Sequence, residues 1–203
     1  MANSNRPKLA KSYLNCLSMI ENNTSVLYTA IADRVELEPA KTIFLSIASD
    51  TQKHSALLKD ICEVVARPKR KTKSNAKKLD EVFDVSYTIY KEIIKKEEVT
   101  VEELPALVEK LAFLENVLGA KYVFALSKTS KVHPKRTSKQ QGLNFDNFPE
   151  FFTQIIRGKE NHRQLLGTVI ELIECKKQEK AEVTPIVSIL PFDAMITPIQ
   201  RKA

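Results

Sequence analysis

The stretches ENNTSVLY (21–28) and FLSIASDTQKHSALL (44–58) both return later in the chain, as ENVLGAKY (115–122) and FTQIIRGKENHRQLL (152–166). Glu21-Asn22 followed by Tyr28 matches Glu115-Asn116 followed by Tyr122. Phe44, Ile47, His54, Leu57 and Leu58 match Phe152, Ile155, His162, Leu165 and Leu166 at the same spacings. The two histidines lie 108 residues apart and the two glutamates 94, so the halves differ by one 14-residue insertion. A repeat of this kind predicts two similar helical pairs that cannot bury their apolar faces alone and pack on each other. Each half then contributes one glutamate and one histidine to the place where the pairs meet.

Helical spacing carries that reading outward from the repeats. Tyr13, Leu17, Ile20, Leu27, Tyr28 and Ile31 form one stripe within a helix over 8–35, and Glu21 falls inside it. Pro39 marks the break before a second helix over 40–65, whose stripe runs Phe44, Ile47, Thr51, His54, Leu58, Ile61 and Val65. A helix over 79–96 belongs to neither repeat and reads as a connector, with Val82, Phe83, Ser86, Ile89, Tyr90 and Ile93 on one face. The second pair follows: 104–127, with Leu104, Leu107, Leu111, Glu115, Leu118, Tyr122 and Ala125 inward, then 149–177. The inward stripe of that last helix is Phe152, Ile155, Lys159, His162, Leu166, Val169 and Ile173. The predicted organisation is thus one all-α domain. It comprises a first helix pair (8–66), a basic loop and connector helix (67–100), a second pair (101–178) holding the insertion 128–147, and a tail (179–203).

Composition agrees with this class and narrows the rest. Hydrophobic content is 43% with 28% charged residues, and only 4 glycines occur in 203 residues, which favours helix over sheet. No apolar run is long enough for a membrane span, and MANSNRPKLAKS lacks the apolar core of a secretion signal. Cys16, Cys62 and Cys175 form no closely spaced ligand pair and read as reduced, mostly buried cysteines of a cytoplasmic protein. Much of the net charge of +7 sits in RPKRKTKSNAKK (67–78) and KTSKVHPKRTSK (128–139). These segments read first as solvated loops, with His133 exposed, and second as sites for an acidic partner or nucleic acid. From about Val183 the tail is apolar yet punctuated by Pro185, Pro191 and Pro198. That excludes a regular helix and predicts an extended strap over the bundle or a second subunit.

A carboxylate inside an apolar stripe costs several kcal/mol unless it is paired or coordinated. Two at matching points of a repeat, each accompanied by a histidine, resemble the ferritin-like superfamily of rubrerythrins and bacterioferritins. The resemblance covers most of 8–177 and implies a four-helix bundle with a long crossover between the helix pairs. In that family six ligands hold two iron or manganese ions: a glutamate from the first and third helices, and a Glu-x-x-His motif from the second and fourth. Glu21, His54, Glu115 and His162 match four of the six. The other two are altered: Thr51 stands three before His54, and Lys159 stands three before His162. Asp50 and Glu160 are each displaced by one position. Asp50 shares a helix face with His54 at i,i+4, whereas Glu160 at i,i+2 from His162 would need a π-bulge to turn inward.

An inward Lys159 supplies positive charge where the family places metal. Its attraction to a carboxylate in contact is on the order of 4 kcal/mol at an effective dielectric of about 20. The favoured expectation is therefore a degenerate di-metal centre without bound metal, in a protein acting as a binding or structural module. A metal-dependent redox protein using iron or manganese is the alternative, with metal ligands drawn from Glu21, His54, Glu115, His162, Asp50 and Glu160. A nucleic-acid-associated protein using the basic loops is a third reading. Tyr28 and Tyr122 are expected in the core with hydroxyls reaching the carboxylates. The family resemblance also implies a homodimer. With no phosphate-binding glycine loop and no serine or cysteine nucleophile beside a base, other enzyme classes have no support.

Overall fold

The computed structural model describes residues 6–65, 79–129 and 148–182, and among them the chain is almost wholly helical. Five helices follow in order: α1 (Arg6–Ala32), α2 (Glu38–Val65), α3 (Asp80–Ile93), α4 (Leu104–Thr129) and α5 (Phe148–Glu182). The all-α class is as expected. The segments 67–78 and 130–139, His133 and the strap from 183 onward lie outside the described residues. Residues 179–182, expected in the tail, instead continue α5.

Helix boundaries follow local chemistry. α1 stops at Ala32, before Val35, because Val35 leaves the helix for an isolated parallel bridge with Val99. α2 begins at Glu38, so Pro39 falls in the first turn, where its missing N–H would have had no partner. Glu38 also places a carboxylate at the positive end of that helix. The Val35–Val99 bridge ties the α1–α2 turn to the connection leading into α4. The Val99 amide donates to the Arg34 carbonyl at 2.8 Å, and Arg34 Nε donates to the Lys96 carbonyl at 3.0 Å.

α1 packs along α2 and α4 along α5, with further contacts of α2 on α5 and of α1 on α4. α1 and α2 run antiparallel at close range. Ser18 Oγ donates to the Ser55 carbonyl at 2.9 Å, Ser55 Oγ to the Ser18 carbonyl at 2.8 Å, and Ser25 Oγ to the Ala48 carbonyl at 2.9 Å. Small residues here let two backbones approach while their hydroxyls stay hydrogen-bonded. α3 lies across α1 and α4 and buries Val82, Ser86, Ile89 and Ile93. It runs antiparallel to α4, since Lys121 reaches Glu81 and Lys110 reaches Glu92.

One apolar core runs through these contacts. Leu17, Ile20, Leu27, Tyr28, Ile31, Phe44, Ile47, Leu58, Leu111, Leu118, Tyr122, Phe152, Leu166 and Val169 are fully or almost fully buried. All belong to the stripes read from the sequence. Glu21, Thr51, Glu115, Lys159 and His162 are buried with them. Cys16 and Cys62 are buried, whereas Cys175 is exposed.

Candidate functional site

The polar groups of the core form one cluster, and Lys159 is its centre. Lys159 projects from α5 at 2% exposure, and its stem lies against Gly119 of α4. Its Nζ lies 2.8 Å from Glu21 Oε2 and 3.3 Å from Glu115 Oε2. The remaining carboxylate oxygens are taken by tyrosines from the opposite helix. Tyr122 of α4 donates to Glu21 Oε1 of α1 at 2.6 Å. Tyr28 of α1 donates to Glu115 Oε1 of α4 at 2.9 Å. The two hydroxyls thus reach the carboxylates, and they do so crosswise between α1 and α4.

The histidines flank this centre unequally. His162 Nδ1 faces Glu115 Oε2 at 3.3 Å, and its Nε2 faces Asp50 Oδ2 of α2 at 3.4 Å. Whichever nitrogen carries a proton donates to the carboxylate it faces. His54 Nδ1 is 3.9 Å from Glu21 Oε2, beyond hydrogen-bond length, and has no partner among the described residues. The His54 and His162 rings lie 6.2 Å apart between centroids. Gly158 supports His54 from α5: a Cβ there would come within 3.0 Å of His54 Cε1. The Thr51 hydroxyl, at the position where the resemblance calls for a glutamate, is buried and also without a partner.

Electrostatics follow from this wiring. Burial alone would raise the Glu115 carboxyl, but Lys159, His162 and the Tyr28 hydroxyl outweigh it and hold it down at about 2. Glu21 moves the other way. Burial raises it, the Glu115 charge adds to that, and Lys159 and Tyr122 only partly offset them. Burial also works against the Lys159 ammonium, yet the two carboxylates prevail and hold its pKa above the ordinary lysine value. His54 is depressed to about 4, by burial first and then by the Lys159 charge, so it is neutral at neutral pH. Burial raises Asp50, but His54, His162 and Lys53 together bring it below its ordinary value. Burial and the neighbouring carboxylates push Tyr28 and Tyr122 well above the usual phenol range.

The fold therefore brings Glu21, His54, Glu115, His162 and Asp50 together, with Lys159 in their midst. It does not bring in Glu160. That carboxylate stays on the outer face of α5, about half exposed, and pairs with Arg163 one turn on. α5 is regular there, and no bulge turns Glu160 inward. Sequence reasoning missed the crosswise tyrosine bonds and the part played by Gly158. A glycine one turn before His162, on the same helix face, was the available signal for a close approach.

The cluster does not fit a di-metal centre. Among the described residues the ammonium stands between the only two fully buried carboxylates, and the four oxygens of Glu21 and Glu115 already accept hydrogen bonds or ion pairs. Among the described residues, no group of three or more His, Cys, Asp or Glu is arranged to hold a metal ion. Nor is any described helix long and apolar enough to cross a membrane. Comparison with known proteins finds no matching family, no similar curated protein and no similar solved structure.

Proposed function

We propose that this chain is a ferritin-like four-helix bundle built from two duplicated helix pairs, in which a lysine ammonium has taken the place of the metal ions. It would act as a non-catalytic binding or structural module. The observation that carries this reading is Lys159 Nζ at 2.8 and 3.3 Å from the two glutamates of the repeat. Two buried carboxylates facing one another share a proton unless positive charge stands between them. A ferritin-like site supplies it as metal, and here a side chain supplies it permanently. A dication entering the same space would have to expel a cation already bonded to both carboxylates.

Support also comes from the second ligand pair of the resemblance. Thr51 offers a neutral hydroxyl where a carboxylate would be needed, and Glu160 points to solvent. What persists is the frame, held by hydrogen bonds in place of coordination bonds.

Metal analysis tests the proposal. Purified protein offered iron(II), manganese(II) and zinc(II) separately, then desalted, is expected to retain well under one equivalent of each. Stoichiometric metal that disappears in a Glu115→Gln variant of unchanged helicity would defeat the reading and restore a metal-dependent redox protein in its place.

A further inference from the structure

The solvent side of the first helix pair lacks charge where the second pair carries it. From Ser12 to Ala32 the only charged residue is Glu21, and that one is fully buried. The outward face of α1 therefore offers Met19, Asn22 and Val26 to solvent, with Met19 52% and Val26 48% exposed. Beyond the Ser18–Ser55 and Ser25–Ala48 hydrogen bonds, α2 continues this surface with Leu45, Ser49 and Gln52, all exposed. Between Thr42 and Leu58 the acids and bases of α2 other than His54 are Asp50 and Lys53. These two pair with each other at the edge where Asp50 meets His162 of α5.

The repeat supplies an internal comparison. At the offsets of 94 and 108 that relate the halves, Asn15 corresponds to Glu109, Ser49 to Arg157 and Gln52 to Glu160. All three counterparts are exposed. A helix facing water ordinarily carries charge on its outer side, and the second pair does. Depletion of charge at the centre of a surface is the compositional mark of a protein interface. We propose that the outer face of α1 and α2 is the surface through which two copies of this chain pair about a two-fold axis.

A second copy suits this face better than a charged partner does. The chain carries a net charge of +7, so two copies repel overall and meet at least cost across a face without charge. Residues near a two-fold axis meet their own copies, which disfavours a charge there. An amide fits, because its carbonyl accepts from the partner while its NH₂ donates back. Asn22 and Asn23, both exposed, occupy the middle of the α1 face. The area is adequate as well. α1 and α2 have 27 and 28 residues, about 40 Å at 1.5 Å per residue, and two adjoining helices are about 20 Å wide. That makes roughly 800 Å², the area each partner buries in an interface of standard size. Asp33, Lys59 and Asp60 lie towards its ends as a charged rim. The pairing is independent of the polar cluster, since Glu21 projects from the buried side of α1.

Sedimentation equilibrium of the full chain tests the pairing, with substitutions at repeat-equivalent positions as the comparison. Val26→Arg puts a cation on the proposed face, and Ala120→Arg puts the same cation at the matching exposed site of α4. Interfaces of this size bind with Kd at about micromolar or tighter, so the parent at about 50 μM is expected at twice the chain mass. Val26→Arg is expected to raise Kd about 100-fold or more through like charges brought together, and Ala120→Arg to leave it unchanged, both with the parent's helicity. Asn22→Asp is isosteric and exposed, so it leaves the fold intact. It should weaken the dimer at low ionic strength and restore it in high salt, which screens the two facing carboxylates. A parent that stays monomeric, a dimer indifferent to both Val26→Arg and Asn22→Asp, or one broken by Ala120→Arg in place of Val26→Arg overturns the assignment.

Discussion

Lys159 turns two carboxylates that would repel into a connected network, and its removal should be felt immediately. Taking one partner from a buried ion pair leaves an uncompensated charge at a cost of about 3–5 kcal/mol. A Lys159→Met variant, which keeps the apolar stem, is expected to lose stability on that scale at neutral pH. Glu21 and Glu115 would then share a proton, so their effective pKa in the fold would rise above that of the unfolded chain. A folded state that binds the extra proton gains stability as pH falls, and urea titrations at pH 8 and pH 5 should find the variant relatively stronger at pH 5. The parent protein should slope the opposite way, for a different reason. His54 is held at about 4 in the fold against an ordinary 6.5, so between those values the unfolded state carries a proton that the folded state lacks. His54 thereby contributes stability that rises with pH across that window, by on the order of 3 kcal/mol, and the raised Glu21 carboxyl offsets part of it. Glu115, at about 2 against an ordinary 4.5, adds stability that is lost only as pH falls from about 4.5 towards 2. A His54→Gln variant should flatten the upper part of the profile, from pH 6.5 to 4.5, and leave the acid limb in place. An unchanged slope there would show that His54 is not the group responsible.

At the scale of helices, three glycines of the second pair separate close packing from mere tolerance. Replacing a helix-interior glycine by alanine gains roughly 0.5–1 kcal/mol where space allows. Gly167 meets nothing within 4 Å, and a Cβ on Gly119 would make only an ordinary contact with Lys159 Cβ at 3.9 Å. Both alanine variants should raise the melting temperature. At Gly158 a Cβ would approach His54 Cε1 to 3.0 Å, so the ring must give way and the gain should vanish or reverse. Repeating Gly158→Ala in a His54→Ala background should recover it, and thermal melts of the four chains are enough to decide. This contrast also marks what the sequence could and could not convey. The stripes of α1, α4 and α5 were legible because each apolar position repeats at helical spacing, and Lys159 was legible because it falls within such a stripe. Glu160 was legible as an outward residue by its angle from His162. Which helix each tyrosine would reach was not legible, because that depends on how helices far apart in the chain pack, and Asp50 was read beside His54 although it bonds His162 across α2 and α5. Periodicity tells which face turns inward, but the partner it meets there is set by tertiary packing.

Across the whole molecule, the polar cluster works as a set of staples between helices that are otherwise held by apolar contacts. Tyr28 to Glu115 and Tyr122 to Glu21 both join α1 to α4, whose direct packing is slight beside that of α1 on α2 or α4 on α5. Lys159 joins α5 to α1 and α4, and His162 joins α5 to α2. Non-directional apolar contacts let helices slide past one another at little cost. Hydrogen bonds to charged groups do not, and each is worth about 1.5–3 kcal/mol. The network therefore fixes the register between the α1–α2 and α4–α5 pairs, a role that needs no metal and no substrate. Tyr28→Phe and Tyr122→Phe each remove one hydroxyl with little change of volume. Each single variant should be destabilised by about 1–3 kcal/mol, and the double variant by more than the sum, because in each single variant the remaining bond still holds the register and in the double variant neither is left. Native-state hydrogen exchange should localise the effect. Amides at the α1–α4 and α2–α5 contacts should exchange faster in the double variant, while those between α1 and α2 keep their protection through Ser18, Ser25 and Ser55. Uniform loss of protection across all five helices would mean that the tyrosines support the core as a whole and do not specifically staple its two halves.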